Sequence, residues 1–486
     1  MNVRAVCRIL GSVLRIFGAT MLVPFVVALV ARESDASSFA IGAAACILAG
    51  VVLRHCGKDD DIRPREAFSI VTFSWLLAGL FGGLPFWLSK SLPTYVDGVF
   101  EAISGITTAG ATVFARVEGV PKATILWRSL LHWLGGMGFV VLFVAVLPRL
   151  GVGGRRLFEA EAPGPVSERL KPRIRQTAGV LWGIYVGLTA ALILLLLLGK
   201  MSLFEAVVHA FSTLGTGGFS SRNLSIESFN SPYVELVLLV FMVLSGVNFA
   251  VHYRFLRTGT RRGFWRNEEF LVYLGILFVC SFLVSLDLWA ELGIRPSEAM
   301  RLGSFQVVSI MTTTGYSSAD FSAWPSLSKL ILLLLMFVGG SGGSTAGGIK
   351  VARVIVAAKY IYRELLRLVH PRAIRHVTLD GQALDEKVVS AALGFITAYM
   401  ILFMLGTLAM AGFGLEPLIA MSSVAAALGN VGPGFGPLGP HGNYATLPQA
   451  AKVLLSGLML VGRLEIFTVL VLLLPVTWRR RSTVPR

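Results

Sequence analysis

Four short stretches hold the residue types a polypeptide needs to bind a dehydrated cation. They read Thr108-Ala109-Gly110-Ala111-Thr112, Thr216-Gly217-Gly218-Phe219-Ser220, Thr313-Thr314-Gly315-Tyr316-Ser317 and Asn430-Val431-Gly432-Pro433-Gly434. Set in register on Gly110, Gly218, Gly315 and Gly432, they carry Thr, Thr, Thr and Asn two places earlier. Six places earlier stand Ser104, Ser212, Ser309 and Ala426. A loop of backbone carbonyls at membrane depth replaces an ion's hydration shell, and a Thr adds an oxygen. Glycine lets the backbone turn where a Cβ would not fit. In the second stretch a rival register, Thr213-Leu214-Gly215-Thr216-Gly217, imitates an ion-channel filter more closely by eye. The Gly218 register is preferred because it alone aligns the flanking Thr and Ser with the first and third stretches. One such stretch would prove little, since Thr and Gly also pack membrane helices. The signal is fourfold recurrence, roughly every 100 residues, too long a period for a solenoid repeat.

Membrane helices must position these stretches. The 486 residues are 55% hydrophobic with a mean hydropathy of +0.74. That excludes an ordinary soluble domain and indicates a polytopic membrane protein. Ten runs are long enough to span, near 9–30, 38–54, 67–89, 124–147, 177–199, 233–253, 270–290, 325–349 continuing to about 365, 388–411 and 450–477. Four weaker apolar runs, near 95–108, 203–216, 297–313 and 415–430, are too short to cross, and each ends in one of the four stretches. Non-helical backbone at membrane depth is tolerated only where protein buries it or water lines it. The expected fold is therefore all-α: four pseudo-repeated helix–pore loop–helix units around one pore, plus an N-terminal hairpin. The expected boundaries are 1–55 for the hairpin and 65–150, 176–257, 268–365 and 388–478 for the units.

The net charge of +16 raises the question of nucleic acid. Its distribution answers it. The basic residues concentrate in alternate connectors, from Arg149 to Arg175, Arg254 to Arg266 and Lys350 to Lys387, and in the tail from Arg479. This is the positive-inside bias, which places both termini in the cytoplasm and all four loops at the outer side. No nucleic-acid partner is expected; the bilayer is, with some inner charge free to meet anionic head groups. Cys7, Cys46, Cys56 and Cys280 have no metal spacing and imply no disulfide framework. Met1 to Ala36 has features of a signal peptide, but Arg15 interrupts its apolar run, which extends to Val30, so a retained span is expected. Asp59 to Arg65 reads as a polar inner turn. The connector with Glu161 to Pro165 and Lys171 to Arg175 either meets a cytosolic partner or serves topology alone.

The third unit holds the most unusual stretch, Gly339-Gly340-Ser341-Gly342-Gly343-Ser344-Thr345-Ala346-Gly347-Gly348, followed by Ile349-Lys350. Glycine weakens a helix by about 1 kcal/mol each, and these six fall part-way along an over-long hydrophobic segment. A nucleotide loop wants Gly-Lys-Ser/Thr after a strand, which is absent here. The expected role is a broken helix under the third loop, suited to a gate because glycines absorb large φ/ψ changes; the alternative is a static, tightly packed kink. Arg463 lies inside the last span, where a charge is costly and faces the protein interior or water. It is a candidate electrostatic barrier, or else half of an ion pair with Glu465. His132 and the Glu205–His209 pair read as packing residues. No catalytic constellation such as His-Glu-x-x-His occurs among the seven histidines, so no enzyme is expected. A symporter coupled to Na⁺ or H⁺ would want intramembrane carboxylates and inverted repeats. Here the units run parallel and acidic residues are scarce within spans.

The four loops, the Gly-rich break in the third unit, Arg463 in the last helix and His132-Trp-Leu-Gly-Gly-Met-Gly138 together resemble the Trk/Ktr potassium-transporter superfamily, most closely its bacterial Trk type. The resemblance covers essentially the whole chain. It implies a homodimer in the bacterial inner membrane, each protomer with its own pore and K⁺ as the transported ion. It implies K⁺ bound by the carbonyls of Thr108, Ala109, Thr216, Gly217, Thr313, Thr314, Asn430 and Val431. It also implies a cytosolic nucleotide-binding (TrkA-like) regulatory subunit as partner. Asn430 and Pro433 depart from the Thr-Gly pattern, leaving the pore only roughly fourfold.

Overall fold

The computed structural model describes residues 1–57, 64–146, 174–258, 267–372 and 375–478. The inner turn from Asp59 to Arg63, most of the connector from Arg149 to Arg175, the end of the basic stretch through Arg266 and the arginine tail lie outside the described residues.

Helices α1 (Val3–Thr20) and α2 (Leu22–Ala31) make one span of 29 residues, and α3 (Ala36–His55) returns against α1. Glycine permits this close approach: a Cβ on Gly11 would sit 2.5 Å from the Gly50 carbonyl oxygen. The remaining helices are taken in four consecutive units. The first is α4 (Pro64–Leu88), α5 (Tyr95–Ile106) and α6 (Lys122–Val146). The second is α7 (Ile174–Leu198), α8 (Leu203–Leu214) and the bent pair α9 (Pro232–Ser245) and α10 (Phe249–Thr258). The third is α11 (Glu268–Leu292), α12 (Pro296–Met311), α13 (Ser326–Leu335) and α14 (Val351–Val369). The fourth is α15 (Glu386–Gly412), α16 (Pro417–Gly429), α17 (Gln449–Arg463) and α18 (Phe467–Leu473), after which comes a last turn, α19 (Pro475–Trp478). Among the described residues the only sheet is a two-stranded hairpin, β1 (Thr378–Leu379) and β2 (Gln382–Ala383), between α14 and α15.

The short second helices of the units, α5, α8, α12 and α16, each start on a strong signal. Thr94 accepts from the Asp97 N–H before α5; Ser202 and Glu205 form a capping box on α8; Pro296 and Pro417 open α12 and α16. Along most of their length the four short helices are buried, whereas long helices turn Leu198, Phe278 and Leu408 outward at 69–74% exposure. Large apolar side chains on the outside and short helices at the centre form the arrangement of a membrane solvent. One continuous apolar core draws on every unit, with Phe100, Leu214, Tyr316 and Leu428 among its members.

The helix tally differs from ten plain spans. Among the described residues six helices are long and apolar enough to cross, or eight if α9–α10 and α17–α18 each count once. Those two pairs bend by 96° and 116°. The remaining expected spans fall on α6, whose side chains are described only as far as residue 136, and on α13–α14, separated by the break from Met336 to Lys350.

Candidate functional site

The four short helices end in the same backbone motif. Thr108, Thr216, Thr313 and Asn430 all adopt left-handed conformations, with φ of 53–57°. In each loop the next N–H reaches back five residues: Ala109 to Ser104, Gly217 to Ser212, Thr314 to Ser309 and Val431 to Ala426, at 2.8–2.9 Å. The left-handed residue bonds three back, to Gly105, Thr213, Ile310 and Ala427. This is the Schellman pair of bonds, which usually requires glycine at the left-handed position. Here Thr takes it three times, at a cost of about 1–2 kcal/mol each. Among the described residues these three are the only β-branched ones in the left-handed region. Strain of this kind persists only where surrounding structure enforces it, and it gathers at functional sites. Asn430 fits because Asn tolerates the left-handed region. The fourth loop thus departs in residue type and not in backbone.

The same geometry sets the two registers of the second loop apart. Gly218 has φ +75°, matching Gly110, Gly315 and Gly432 at +78°, +78° and +110°. Gly215, the centre of the rival register, is right-handed at the end of α8.

The four glycines also show how the loops meet. A Cβ on Gly110 would lie 2.1 Å from the Gly217 carbonyl oxygen. One on Gly218 would lie 2.0 Å from Thr314 O, and one on Gly315 2.0 Å from Val431 O. One on Gly432 would lie 2.8 Å from Ala109 O. Each loop abuts the next, and the fourth returns to the first. The ring brings together Ala109, Gly217, Thr314 and Val431, the equivalent residue of every unit. A ring of four carbonyls around one axis is an arrangement that can coordinate a dehydrated cation.

Buried polar side chains support the ring. Arg128 donates through Nε to Glu101 Oε1 at 2.7 Å, and both side chains are buried. Its Nη2 donates to Thr112 Oγ1 and its Nη1 to the Ser220 carbonyl, so it ties the first loop to the second. Lys452 on α17 pairs with Asp97 on α5 at 2.6 Å. The Tyr444 hydroxyl donates to the Gly432 carbonyl at 2.9 Å, and the Tyr444 N–H to the Thr112 carbonyl at 2.8 Å. The His132 ring stacks on Phe219 and fills the space that a side chain at Gly217 would need. His209 bonds the Glu205 carbonyl and the Ser220 hydroxyl, and Glu205 pairs with Arg222. Both histidines therefore pack the loops.

The segment Gly339–Gly348 lies against the third loop. The Gly347 N–H donates to Thr313 Oγ1 at 2.8 Å, and a Cβ on Gly347 would lie 2.4 Å from Gly429 O. Gly339 N–H and Ile349 N–H bond across the break to Ile349 O and Phe337 O. A Cβ on Gly339 would stand 1.9 Å from Gly347 O, while Gly348 needs its φ of +66° to turn back toward α14. Gly340 is buried near the Gly246 carbonyl, which accepts from the Ser341 N–H; the Gly343 carbonyl accepts from the Phe249 N–H. The Gly342 N–H is held by Glu269. Of the three hydroxyls, Ser344 bonds the Ser341 carbonyl and Thr345 the Ser245 carbonyl, while Ser341 Oγ is buried without a partner.

Arg463 closes this region from the fourth unit. Its Nη1 donates to Thr345 O at 2.6 Å and its Nη2 to Gly135 O at 3.1 Å. The expected alternative, a pair with Glu465, is not formed: Glu465 pairs with Arg353. Among the described residues the buried Arg463 guanidinium donates to carbonyls and forms no ion pair with a carboxylate, beside the Gly-rich segment.

Comparison with known proteins adds a family. A family model described as TrkH, a cation transport protein, matches residues 35–290 and 291–477. The chain belongs to the TrkH family. Among curated relatives, the Trk system potassium uptake proteins TrkH of Escherichia coli K12 and of Halomonas elongata are each 39% identical, covering 99% of this chain and 100% of theirs. TrkG of Escherichia coli K12, of the same Trk system, is 36% identical over 98% of this chain and 99% of its own. A solved structure, the potassium transporter TrkH from Vibrio parahaemolyticus, is similar with a TM-score of 0.89 and 37% identity, over 99% of this chain and 100% of that one.

Sequence reasoning missed several residues that hold the site of this TrkH-family chain. Arg128 and Glu101 sit on different helices 27 positions apart, and no local pattern links them. The break after α9 carries one glycine, Gly246, and the break after α17 carries none, with Gly462 just inside the helix end; a lone glycine reads equally as helix packing. The left-handed Thr residues leave a trace only in their fourfold spacing.

Proposed function

We propose that this TrkH-family protein takes up K⁺ across the bacterial inner membrane through its four-loop ring. K⁺ is coordinated by the carbonyls of Thr108, Ala109, Thr216, Gly217, Thr313, Thr314, Asn430 and Val431. The observation that carries the reading is the cyclic contact of each loop glycine with the next loop's carbonyl. It is supported by relatives named as potassium uptake proteins. The driving force is the membrane potential, about 2.3 kcal/mol per charge per 100 mV. The chain then needs no hydrolysis step of its own.

In this reading the chain divides into the hairpin 1–55 and pore units at 65–150, 176–257, 268–365 and 388–478, ten spans with four re-entrant helices. Both termini are cytoplasmic, and two protomers assemble, each with its own pore. Gly339, Gly340, Gly342, Gly343, Gly347 and Gly348 form a gate beneath the ring, and Arg463 adds a positive barrier at that level. A cytosolic nucleotide-binding regulatory subunit moves the gate. The test is ion-replacement flux in liposomes at fixed voltage. Flux that is selective for K⁺ and indifferent to Na⁺ and H⁺ gradients supports this account; flux that follows either gradient favours coupled symport.

A further inference from the structure

The first turn of α11 holds a buried acid that the ring does not use. The Glu269 Oε1 accepts from the Gly342 N–H at 2.6 Å and from the Ala352 N–H at 3.2 Å. These two groups flank residues 343–351, so one carboxylate oxygen ties both ends of that stretch. A buried carboxylate is costly unless hydrogen bonds satisfy it, and here backbone N–H groups supply them.

The residues next to Glu269 are tied outward. Glu268 N–H donates to Asp380 Oδ1 at 2.6 Å, and Asn267 Nδ2 donates to Asp380 Oδ2 at 3.1 Å. Asp380 N–H donates back to Glu268 Oε2 at 3.3 Å, and Glu268 also pairs with Lys359. Asp380 and Gly381, with φ of 50° and 76°, form the tight turn of the hairpin Thr378–Ala383. Three consecutive residues, 267–269, therefore join an exposed turn to the Gly-rich segment.

We propose that Glu269 is the latch of the Gly339–Gly348 segment, and that residues 267–269 couple this latch to the hairpin turn at Asp380. Hydrogen bonds weaken steeply with misalignment. A small shift of the α11 start would thus release both N–H groups together, because both rest on one oxygen. Only the consequence for flux rests on the gate reading above; the coupling itself does not.

Hydrogen exchange by mass spectrometry on the full chain in lipid nanodiscs, with ⁸⁶Rb⁺ flux on the same samples in liposomes, tests the proposal. Glu269→Ala should speed exchange across 339–352 by roughly tenfold or more, the scale of a lost charge-assisted bond. Glu269→Gln, which keeps an oxygen acceptor without the charge, should speed it less. Asp380→Ala, at a residue that bonds Asn267 and Glu268 but not 339–352, should speed exchange in the same segment. Exchange across α5 and α12 at the parent rate shows that the fold is kept. Parent-rate exchange at 339–352 in Glu269→Ala and Glu269→Gln overturns the latch, and in Asp380→Ala it overturns the coupling. Faster exchange with unchanged flux upholds the latch and removes the gate reading.

Discussion

The Gly347 N–H donates to the Thr313 hydroxyl at 2.8 Å, joining the long break in the third unit to the third loop. Thr313 is also one of the three strained left-handed threonines. One side chain thus serves the ring through its backbone and the segment through its oxygen. Thr313→Val keeps the β-branched shape and leaves the buried Gly347 N–H unpaired, a loss of about 1–3 kcal/mol. The expected outcome is a looser segment and a several-fold rise in ⁸⁶Rb⁺ flux in liposomes. Thr313→Ser, which keeps the hydroxyl, should stay near the parent.

Arg463 separates clip from charge. Arg463→Ala removes the bonds to Thr345 O and Gly135 O together with the positive charge, and flux should rise. Arg463→Lys keeps the charge but not the forked geometry, so its flux should fall between parent and Ala. An Ala variant that folds and conducts no faster than the parent removes Arg463 from the barrier.

Deleting Gly342 to Ser344 shortens the segment and removes its Glu269 contact. Flux should rise further than in Arg463→Ala and, on the proposed gating by a cytosolic subunit, no longer respond to that subunit. A deletion that reaches the membrane and conducts no faster than the parent makes the segment a structural kink.

Arg128 and Glu101 form a buried pair, and removing one partner strands the other. Arg128→Leu should cost about 3–5 kcal/mol, read as a lower melting temperature in detergent. The double variant Arg128→Gln with Glu101→Gln should recover part of that loss. An unchanged melting temperature in Arg128→Leu would show that the pair does not hold the first loop.

The helices and loop positions were legible because they rest on local signals. Apolar runs showed the long helices, and the Thr–Gly and Ser–Gly spacings set the loop register. Those spacings have a backbone cause: the Schellman bond runs from the residue before each glycine to the residue six before it. What was not legible depends on distance in sequence. Lys452 meets Asp97 across 355 positions, and Arg463 meets carbonyls instead of nearby Glu465. Carbonyl partners leave no residue-type signal, and Gly246 alone does not announce a 96° bend.

The central claim is that the glycine–carbonyl ring selects K⁺. A side chain on Gly315 would meet the Val431 carbonyl at 2.0 Å, far inside the closest contact a Cβ makes. Gly110 and Gly218 are as tight, and Gly432, at 2.8 Å, is less so. The most direct measurement is the ratio of ⁸⁶Rb⁺ to Na⁺ flux in liposomes carrying Gly315→Ser, with Gly110→Ser, Gly218→Ser and Gly432→Ser alongside. The account predicts a ratio that collapses toward one at Gly110, Gly218 and Gly315 and falls less at Gly432. Parent selectivity in all four would contradict it.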